Sequence, residues 1–319
     1  MSPRIEGWLQ QRWYGGTPAG PGLRMLAGLY ALAAKGKRSR SAQRLPVPVV
    51  VIGNFTVGGT GKTPLVIAIA TGLAAQGYRP GIVSRGYGRK SKRPLRIEAD
   101  TPVAECGDEP RLIFERTGLP VFVDADRVAA SERAIAAGCN LIIADDGLQH
   151  RRLHRDVEIE VVDGERGYGN GLLLPAGPLR ERPRRCDMRV VNGGGEVPAG
   201  DWQMRLNLGD AWSLQDPAQH RPVADFVGLP VHAVAGIGNP GRFFKALASA
   251  GLNMTPAPFP DHHKFLRSDF PDDTRCVLIT EKDAVKCRRL GLANAWAVPV
   301  VAELPAEFFP SLLSRLRKA

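Results

Sequence analysis

Cysteine is sparse and unpatterned. Cys106, Cys139, Cys186, Cys276 and Cys287 are odd in number, scattered, and form no C-x-x-C. That argues against a disulfide framework and a zinc site, and for a reducing compartment. No apolar run is long enough to cross a bilayer. The longest near the N-terminus, Leu23–Ala34, is interrupted by Arg24 and Gly28 and falls short of the roughly 20 residues a span needs. It also lacks a convincing small-residue cleavage site, which argues against a secretory leader. Internal repeats and low-complexity tracts are absent. Acids are in deficit: 43 Lys and Arg face 32 Asp and Glu, a formal net charge of +11. Such an excess favours an anionic partner: nucleic acid, an anionic lipid surface or a phosphorylated substrate. No recognition motif of bases interleaved with aromatics accompanies it, so no nucleic acid is expected. At 319 residues and 44% hydrophobic content, the chain can build two domains with real cores.

What is present centres on Val47–Ala70. A β-branched run, Val47–Ile52, leads into the loop Thr56-Val57-Gly58-Gly59-Thr60-Gly61, then Lys62, Thr63 and an apolar run of helical length. Strand, glycine loop and helix in this order make a phosphate-binding P-loop. Glycines let backbone N–H groups turn inward around phosphate oxygens, and the helix N-terminus adds unpaired donors. Lys62 would reach the β- and γ-phosphates and the Thr63 hydroxyl would ligate Mg²⁺. The pattern G-x-x-x-x-G-K-[ST] has glycine where this chain has Thr56, so the loop must begin differently. ATP or GTP is the expected ligand.

Further along, Pro80–Ser84 reads as a strand that runs into the basic, glycine-rich Arg85–Arg93. Gly107-Asp108-Glu109-Pro110 precedes a helical pattern at Arg111–Arg116. Those acids could cap the helix, or supply a base and a metal-shell group. Val121–Val123 is a short strand that ends in Asp124-Ala125-Asp126-Arg127. Asn140–Ala144 is a buried-strand run that ends in Asp145-Asp146, the Walker B arrangement in which one carboxylate holds Mg²⁺. Gln149, His150 and a basic run follow. Val157–Val162 and Met188–Asn192 are further strands, with a proline-bounded loop carrying Arg180 and Glu181 between them. Strands alternating with helices give a parallel, doubly wound sheet.

Gly193-Gly194-Gly195 marks a boundary, and residues 201–228 read as linker strands. Val231–Ala235 opens a second α/β unit and leads into Gly236-Ile237-Gly238-Asn239-Pro240-Gly241. This matches the dinucleotide fingerprint G-x-G-x-x-G. A second nucleotide site beside a P-loop is not expected, and Pro240 sits within the turn. Asp261-His262-His263 could bind metal or be structural. Thr280-Glu281-Lys282-Asp283 reads as a helix-capping box, and Pro310–Arg317 as a terminal helix. Residues 1–46 hold the single acid Glu6, several aromatics, and an apolar helical pattern at Leu23, Leu26, Tyr30 and Ala34. The basic Lys35-Gly36-Lys37-Arg38-Ser39-Arg40 follows it. That is the pattern of a membrane-surface helix. The expected organisation is therefore an N-terminal membrane-associating segment (1–46), a P-loop core (47–200), linker strands (201–228) and a smaller α/β lid (229–319).

Eight motifs occur in one order: VVVIGNFTVGGTGKTP, SRGYGR, GDEP, DADR, DDGLQH, LLPAGPLRE, FPDHH and ITEKDAVK. Together they resemble the tetraacyldisaccharide 4'-kinase family of lipid A biosynthesis, across almost the whole chain. The loop beginning at Thr56 is similar to the one that family uses. The resemblance implies an α/β fold with a P-loop NTPase-type parallel sheet flanked by helices, a second smaller α/β domain and an N-terminal membrane-surface helix. It implies ATP- and Mg²⁺-dependent phosphorylation of the 4'-hydroxyl of tetraacyldisaccharide 1-phosphate, giving lipid IVA. It further implies a monomer at the cytoplasmic face of the bacterial inner membrane. By the same resemblance Asp108 is the general base, paired with one of the two adjacent histidines, His262 in preference to His263 because it directly follows Asp261. Lys62, Asp145 and Arg180 act in transfer, and Thr63, Asp146, Glu109 and Glu181 serve the metal. Thr56 to Thr63 cradle the nucleotide, and Arg85, Arg127, Gln149 and His150 hold the acceptor's head group.

Overall fold

The computed structural model describes residues 3–35, 41–194, 197–271 and 275–317. The basic positions 36–40 lie outside the described residues. Two sheets organise the chain. The larger contains β1 (Val49–Gly53), β2 (Pro80–Ser84), β3 (Leu95–Arg96), β4 (Val121–Val123), β5 (Leu141–Asp145), β6 (Val157–Asp163), β7 (Met188–Asn192) and β8 (Trp202–Leu208). The second contains β9 (Ala211–Ser213), β10 (His220–Arg221), β11 (Val231–Ala235), β12 (Met254–Pro258), β13 (Cys276–Thr280) and β14 (Ala295–Val298). The last strand, β15 (Val300–Glu303), returns to the first sheet.

Strand order in the larger sheet is β15-β8-β7-β6-β1-β5-β2-β4-β3. β1 is central and wholly buried, parallel to β5 on one side (Val50 opposite Ile143) and to β6 on the other (Val50 opposite Val157). Strands buried on both faces need no polar alternation, which explains the continuous valine and isoleucine runs. The chain leaves β1 for one side of the sheet and returns from β5 to β6 on the other. The carboxyl ends of such strands form the crevice where open α/β sheets bind ligands. Gly53, Ser84, Asp145, Asp163 and Asn192 all end strands there. The second sheet runs β10-β9-β14-β13-β11-β12, with β12, β11, β13 and β14 parallel.

The helices are α1 (Pro3–Tyr14), α2 (Pro21–Lys35), α3 (Lys62–Ala75), α4 (Val103–Cys106), α5 (Asp108–Thr117), α6 (Arg127–Ala136), α7 (Pro240–Ser249), α8 (Glu281–Cys287) and α9 (Phe308–Leu316). Leu65, Val66, Ile69, Ala70 and Leu73 bury α3 against the sheet. A Cβ at Gly72 would lie 2.3 Å from the Phe309 ring, so glycine lets α9 pack closely on α3.

Two expected boundaries shift. The stretch 201–228 is not a free linker: β8 pairs in parallel with β7 (Val190 opposite Trp202), while β9 and β10 join the second sheet. The tail of the expected lid, 300–316, belongs to the first unit, because Phe308, Leu312 and Leu316 complete its core. Both reflect unfilled surfaces. The edge of β7 and the outer face of α3 need covering, and apolar residues distant in sequence supply it.

Candidate active site

The glycine loop after β1 closes with Gly58 and Gly61 at φ 106° and 93°. β-carbon-bearing residues rarely adopt that region, and it turns successive N–H groups to one side. A Cβ at Gly61 would also lie 2.4 Å from Asn192 Nδ2. Thr56, standing where glycine is usual, is buried and bridges to Leu179. Two hydrogen bonds flank that bridge: Val57 N donates to Pro178 O at 2.8 Å and Arg180 N to Phe55 O at 2.7 Å. An extended start held by the 172–181 loop therefore replaces the tight first turn. Asn54 and Asn192, missed in the sequence, brace the loop. Asn54 Nδ2 donates to Thr60 Oγ1 at 3.2 Å and Asn192 Nδ2 to Thr60 O at 2.9 Å.

Lys62 Nζ donates to Asn54 Oδ1 at 2.9 Å and lies 3.6 Å from Asp146 Oδ1. Arg180 Nη1 donates to both Asp146 oxygens, at 2.9 and 2.7 Å. Burial works against the Asp146 charge, but Lys62 and Arg180 outweigh it and hold this carboxyl far below its usual range. Asp146 sits at φ 51°, a strain of the kind found at functional sites. Asp145 behaves oppositely. Burial and then the neighbouring Asp146 charge push it up to about 6, although Ser84 Oγ donates to it at 3.0 Å.

The capping alternative for Asp108 and Glu109 fails, because Gly107 is the N-cap of α5 and no side chain caps it. Both acids instead face the second unit. His262 Nδ1 lies 3.1 Å from Asp108 Oδ2. Lys286 Nζ lies 3.6 Å from the same oxygen, and Lys282 Nζ reaches Glu109 Oε1 at 2.6 Å and Asp261 Oδ1 at 3.0 Å. Burial alone would raise Asp108; the His262 hydrogen bond and the two lysines lower it. His262 in turn is raised, chiefly by that hydrogen bond, against burial. The two histidines of the DHH motif separate. His262 at φ 60° turns toward Asp108. His263 stacks on Phe259 and bonds Asp269 at 3.0 Å, a structural place. Thr280 does cap α8, accepting from Asp283 N. The same helix start also delivers Lys282 and Lys286, i and i+4 on one face. Capping chemistry hid them in the sequence.

The remaining candidates divide. Gln149 Nε2 donates to Asn54 O at 3.0 Å. Glu181 is engaged by Arg151 at 2.8 Å. Asp126 caps α6, while Arg127 folds back on the Asp124 and Ala125 carbonyls and leaves Nε without a partner. His150 Nε2 is also buried and unpartnered; burial and then Arg127 push its imidazole down to about 4, so it is neutral at pH 7. Arg85 is exposed at the rim. The turn at 236–241 does not form a cradle. A Cβ at Gly238 would lie 2.6 Å from Gly59 N, so this turn lies against the glycine loop itself.

The glycine loop, Lys62, Asp145, Asp146, Arg180, Glu109, His262 and Lys282 line one cleft of about 1670 Å³ between the two units, and Asp108 joins it through its bond to His262. The cleft runs from the glycine loop to Leu9, Trp13 and Tyr30 of the N-terminal helices. Among the described residues no three His, Cys, Asp or Glu side chains form a metal cluster. That composition still suits Mg²⁺, which takes one or two carboxylates, a hydroxyl, phosphate oxygens and water. Asp145, which is buried, and Asp146, which is partly exposed, stand side by side with opposed shifts and form an oxygen donor set whose charge a divalent cation would balance.

Comparison with known proteins finds relatives over nearly the whole chain. The family model described as tetraacyldisaccharide-1-P 4'-kinase matches residues 20–317. Proteins named tetraacyldisaccharide 4'-kinase from Xanthomonas euvesicatoria pv. vesicatoria (strain 85-10) and Stenotrophomonas maltophilia (strain R551-3) are 51% and 50% identical to this chain. The matches cover 96% of this chain and 95% and 96% of theirs. The crystal structure of LpxK from Aquifex aeolicus in complex with ATP superposes with a TM-score of 0.74 at 30% identity, over 92% of this chain and 97% of that one.

Proposed function

The chain belongs to the tetraacyldisaccharide-1-phosphate 4'-kinase family, and from that premise we propose that it moves the γ-phosphoryl group of ATP to the 4'-hydroxyl of tetraacyldisaccharide 1-phosphate. The observation that carries the reading is the bond of Asp108 to His262 at 3.1 Å, with His262 lining the cleft that also holds the glycine loop. A phosphate loop alone would fit any nucleotide hydrolase. An acid–imidazole pair facing it supplies what an alcohol acceptor needs.

In this scheme the acceptor oxygen forms its bond to the γ-phosphorus as the bond to the β-phosphate oxygen breaks. Its proton passes to Asp108 Oδ2, which His262 orients and shares. A carboxylate of lowered pKa suffices because the transfer transition state is loose, and the hydroxyl proton is surrendered late. Lys62 and Arg180, now on Asp146, are the cations available to the phosphates. Thr63, Asp146 and Asp145 are the donors best placed for Mg²⁺, which supplies charge neutralisation at the β- and γ-phosphates. Glu109 and Glu181 join them only by releasing Lys282 and Arg151. Arg127, His150, Gln149 and Arg85 are the acceptor-side candidates, two of them with unpartnered buried nitrogens.

No helix of the described residues is long and apolar enough to cross a membrane. Trp8, Met25, Leu29 and Leu32 are nevertheless 46%, 67%, 57% and 65% exposed on the N-terminal helices. Such a patch, on the helices whose Leu9, Trp13 and Tyr30 line the cleft, supports a monotopic protein drawing lipid from a membrane surface, which the kinase reading makes the cytoplasmic face of the inner membrane. The pair Leu29→Glu and Leu32→Glu should abolish co-sedimentation with anionic vesicles.

The deciding experiment is label transfer from γ-labelled ATP with Mg²⁺ and the disaccharide 1-phosphate in detergent micelles. Wild type should yield labelled lipid IVA, and Asp108→Ala should lose on the order of a hundredfold or more. ATP hydrolysis without lipid labelling would sink the kinase reading.

A further inference from the structure

The 172–181 loop is tied to two distant parts of the molecule at once. On one side it is laced to the start of the phosphate loop through Val57, Thr56 and Phe55, and its Arg180 forks onto Asp146. On the other side it is the seat of the N-terminal helices. Trp13 Nε1 donates to Pro175 O at 3.0 Å, and Tyr30 Oη donates to Arg180 O at 2.9 Å. Tyr30 therefore holds the backbone of the very residue whose side chain sits on the Walker acid. Its neighbours on α2, Met25, Leu29 and Leu32, face outward.

We propose that Tyr30 is a positioning residue for phosphoryl transfer, acting through Arg180. Its hydroxyl fixes the Arg180 carbonyl, and the Arg180 amide is already fixed by Phe55 O. With the peptide units on both sides of Cα held, the guanidinium has one approach to Asp146 and to the phosphates beyond it. Without the hydroxyl the carbonyl end is free to swing. Misplacement of a charge-stabilising group by a fraction of an ångström is costly in a reaction that depends on positioning. The same bond gives α2, the helix with the outward apolar face, a direct route to the reacting phosphate. This inference rests on the kinase reading above.

Tyr30→Phe keeps the ring and deletes the one hydrogen bond, so it tests the claim without a packing change. With lipid acceptor in micelles, kcat should fall about tenfold, while KM for ATP and for the acceptor stay within about twofold. In the Arg180→Ala background the same substitution should cost nothing further, because the two act as a unit. A helix that merely docked less well would instead raise the acceptor KM, and its effect would add to that of Arg180→Ala. Amide exchange at Val57 and Arg180 reads the coupling without turnover, and it should quicken in Tyr30→Phe at unchanged thermal midpoint. Unchanged exchange, an unchanged kcat beside an active wild type, or additive losses in the double variant would each overturn the proposal. Loss of wild-type label transfer with quickened exchange would count against the kinase reading and leave the Tyr30–Arg180 link supported.

Discussion

Each of the two units carries a strand, a glycine-rich turn and a helix, and the two turns touch. After β1 the sequence is Gly58-Gly59-Thr60-Gly61; after β11 it is Gly236-Ile237-Gly238-Asn239-Pro240-Gly241. In the first, Gly58 and Gly61 adopt positive φ and Lys62 opens the helix. In the second, Gly236, Gly238 and Gly241 all avoid the left-handed region. Pro240 begins the helix there without an N–H to offer. The basic side chains there are both engaged: Arg166 Nη1 donates to Gly238 O at 3.4 Å, and Arg242 is committed to Asp163 at 2.8 Å. Glycine thus serves two physical ends. In one turn it permits a backbone curl around an anion. In the other it removes side chains so that two backbones can meet. A spacing pattern cannot tell these apart; the φ angles and the neighbours can.

The sharpest way to break the contrast is Gly61→Ala. The methyl would meet Asn192 Nδ2 at 2.4 Å in a left-handed conformation, a strain of about 1–3 kcal/mol. Phosphoryl transfer should fall at least a hundredfold by direct assay, on the scale of a misplaced reacting group. Gly238→Ala comes next. Its Cβ would strike Gly59 N at 2.6 Å, an overpacking of about 1–3 kcal/mol. The clash sits between units, so nucleotide KM should rise roughly tenfold by that energy, with little change in the first unit's own stability. Arg242→Ala should then lower global stability in urea by about 1–3 kcal/mol. It leaves the buried Asp163 carboxylate with only its backbone partners, Glu165 N and Arg166 N. Gly241→Ala should do least. Its Cβ meets nothing closer than Asn239 Oδ1 at 3.7 Å, and in a helix it should stabilise by up to about 1 kcal/mol. A loss there comparable to Gly61→Ala would refute the distinction.

The pair that bridges the units gives the comparison a pH coordinate. His262 is raised on folding, so its contribution is complete below its ordinary value and is lost as pH rises through the raised one. Asp108 is lowered, so its contribution is present above its ordinary value and is lost as pH falls through the lowered one. The stabilising window lies between the two folded-state values. A melting-temperature profile of wild type minus His262→Gln should be positive only inside it. If Asp108 is the base as proposed, turnover should rise with pH through a group titrating above the ordinary imidazole value, because an imidazolium on Asp108 would block its basicity. His262→Gln should remove that limb.

Local chemistry determined a good deal of this protein by itself. β-branched runs before glycine loops specify buried parallel strands, and acids at strand ends mark the crevice at the sheet's carboxyl edge. Thus β1, β2, β4, β5, β6 and β7 stand within a residue or two of where the pattern places them, and Lys62, Asp145 and Asp146 share one crevice. Relations between distant segments were left to the tertiary structure. It decided that β8, β15 and α9 finish the first unit, because covering an edge and a helix face depends on what else is apolar and within reach. It decided which of two adjacent histidines meets Asp108, because the backbone at His262 takes a left-handed turn that no residue type announces. It put Lys282 and Lys286 opposite Asp108 and Glu109, over 170 positions away in the chain. Charge pairs of that kind form only when two separately folded surfaces close, and their energy belongs to the contact rather than to either segment.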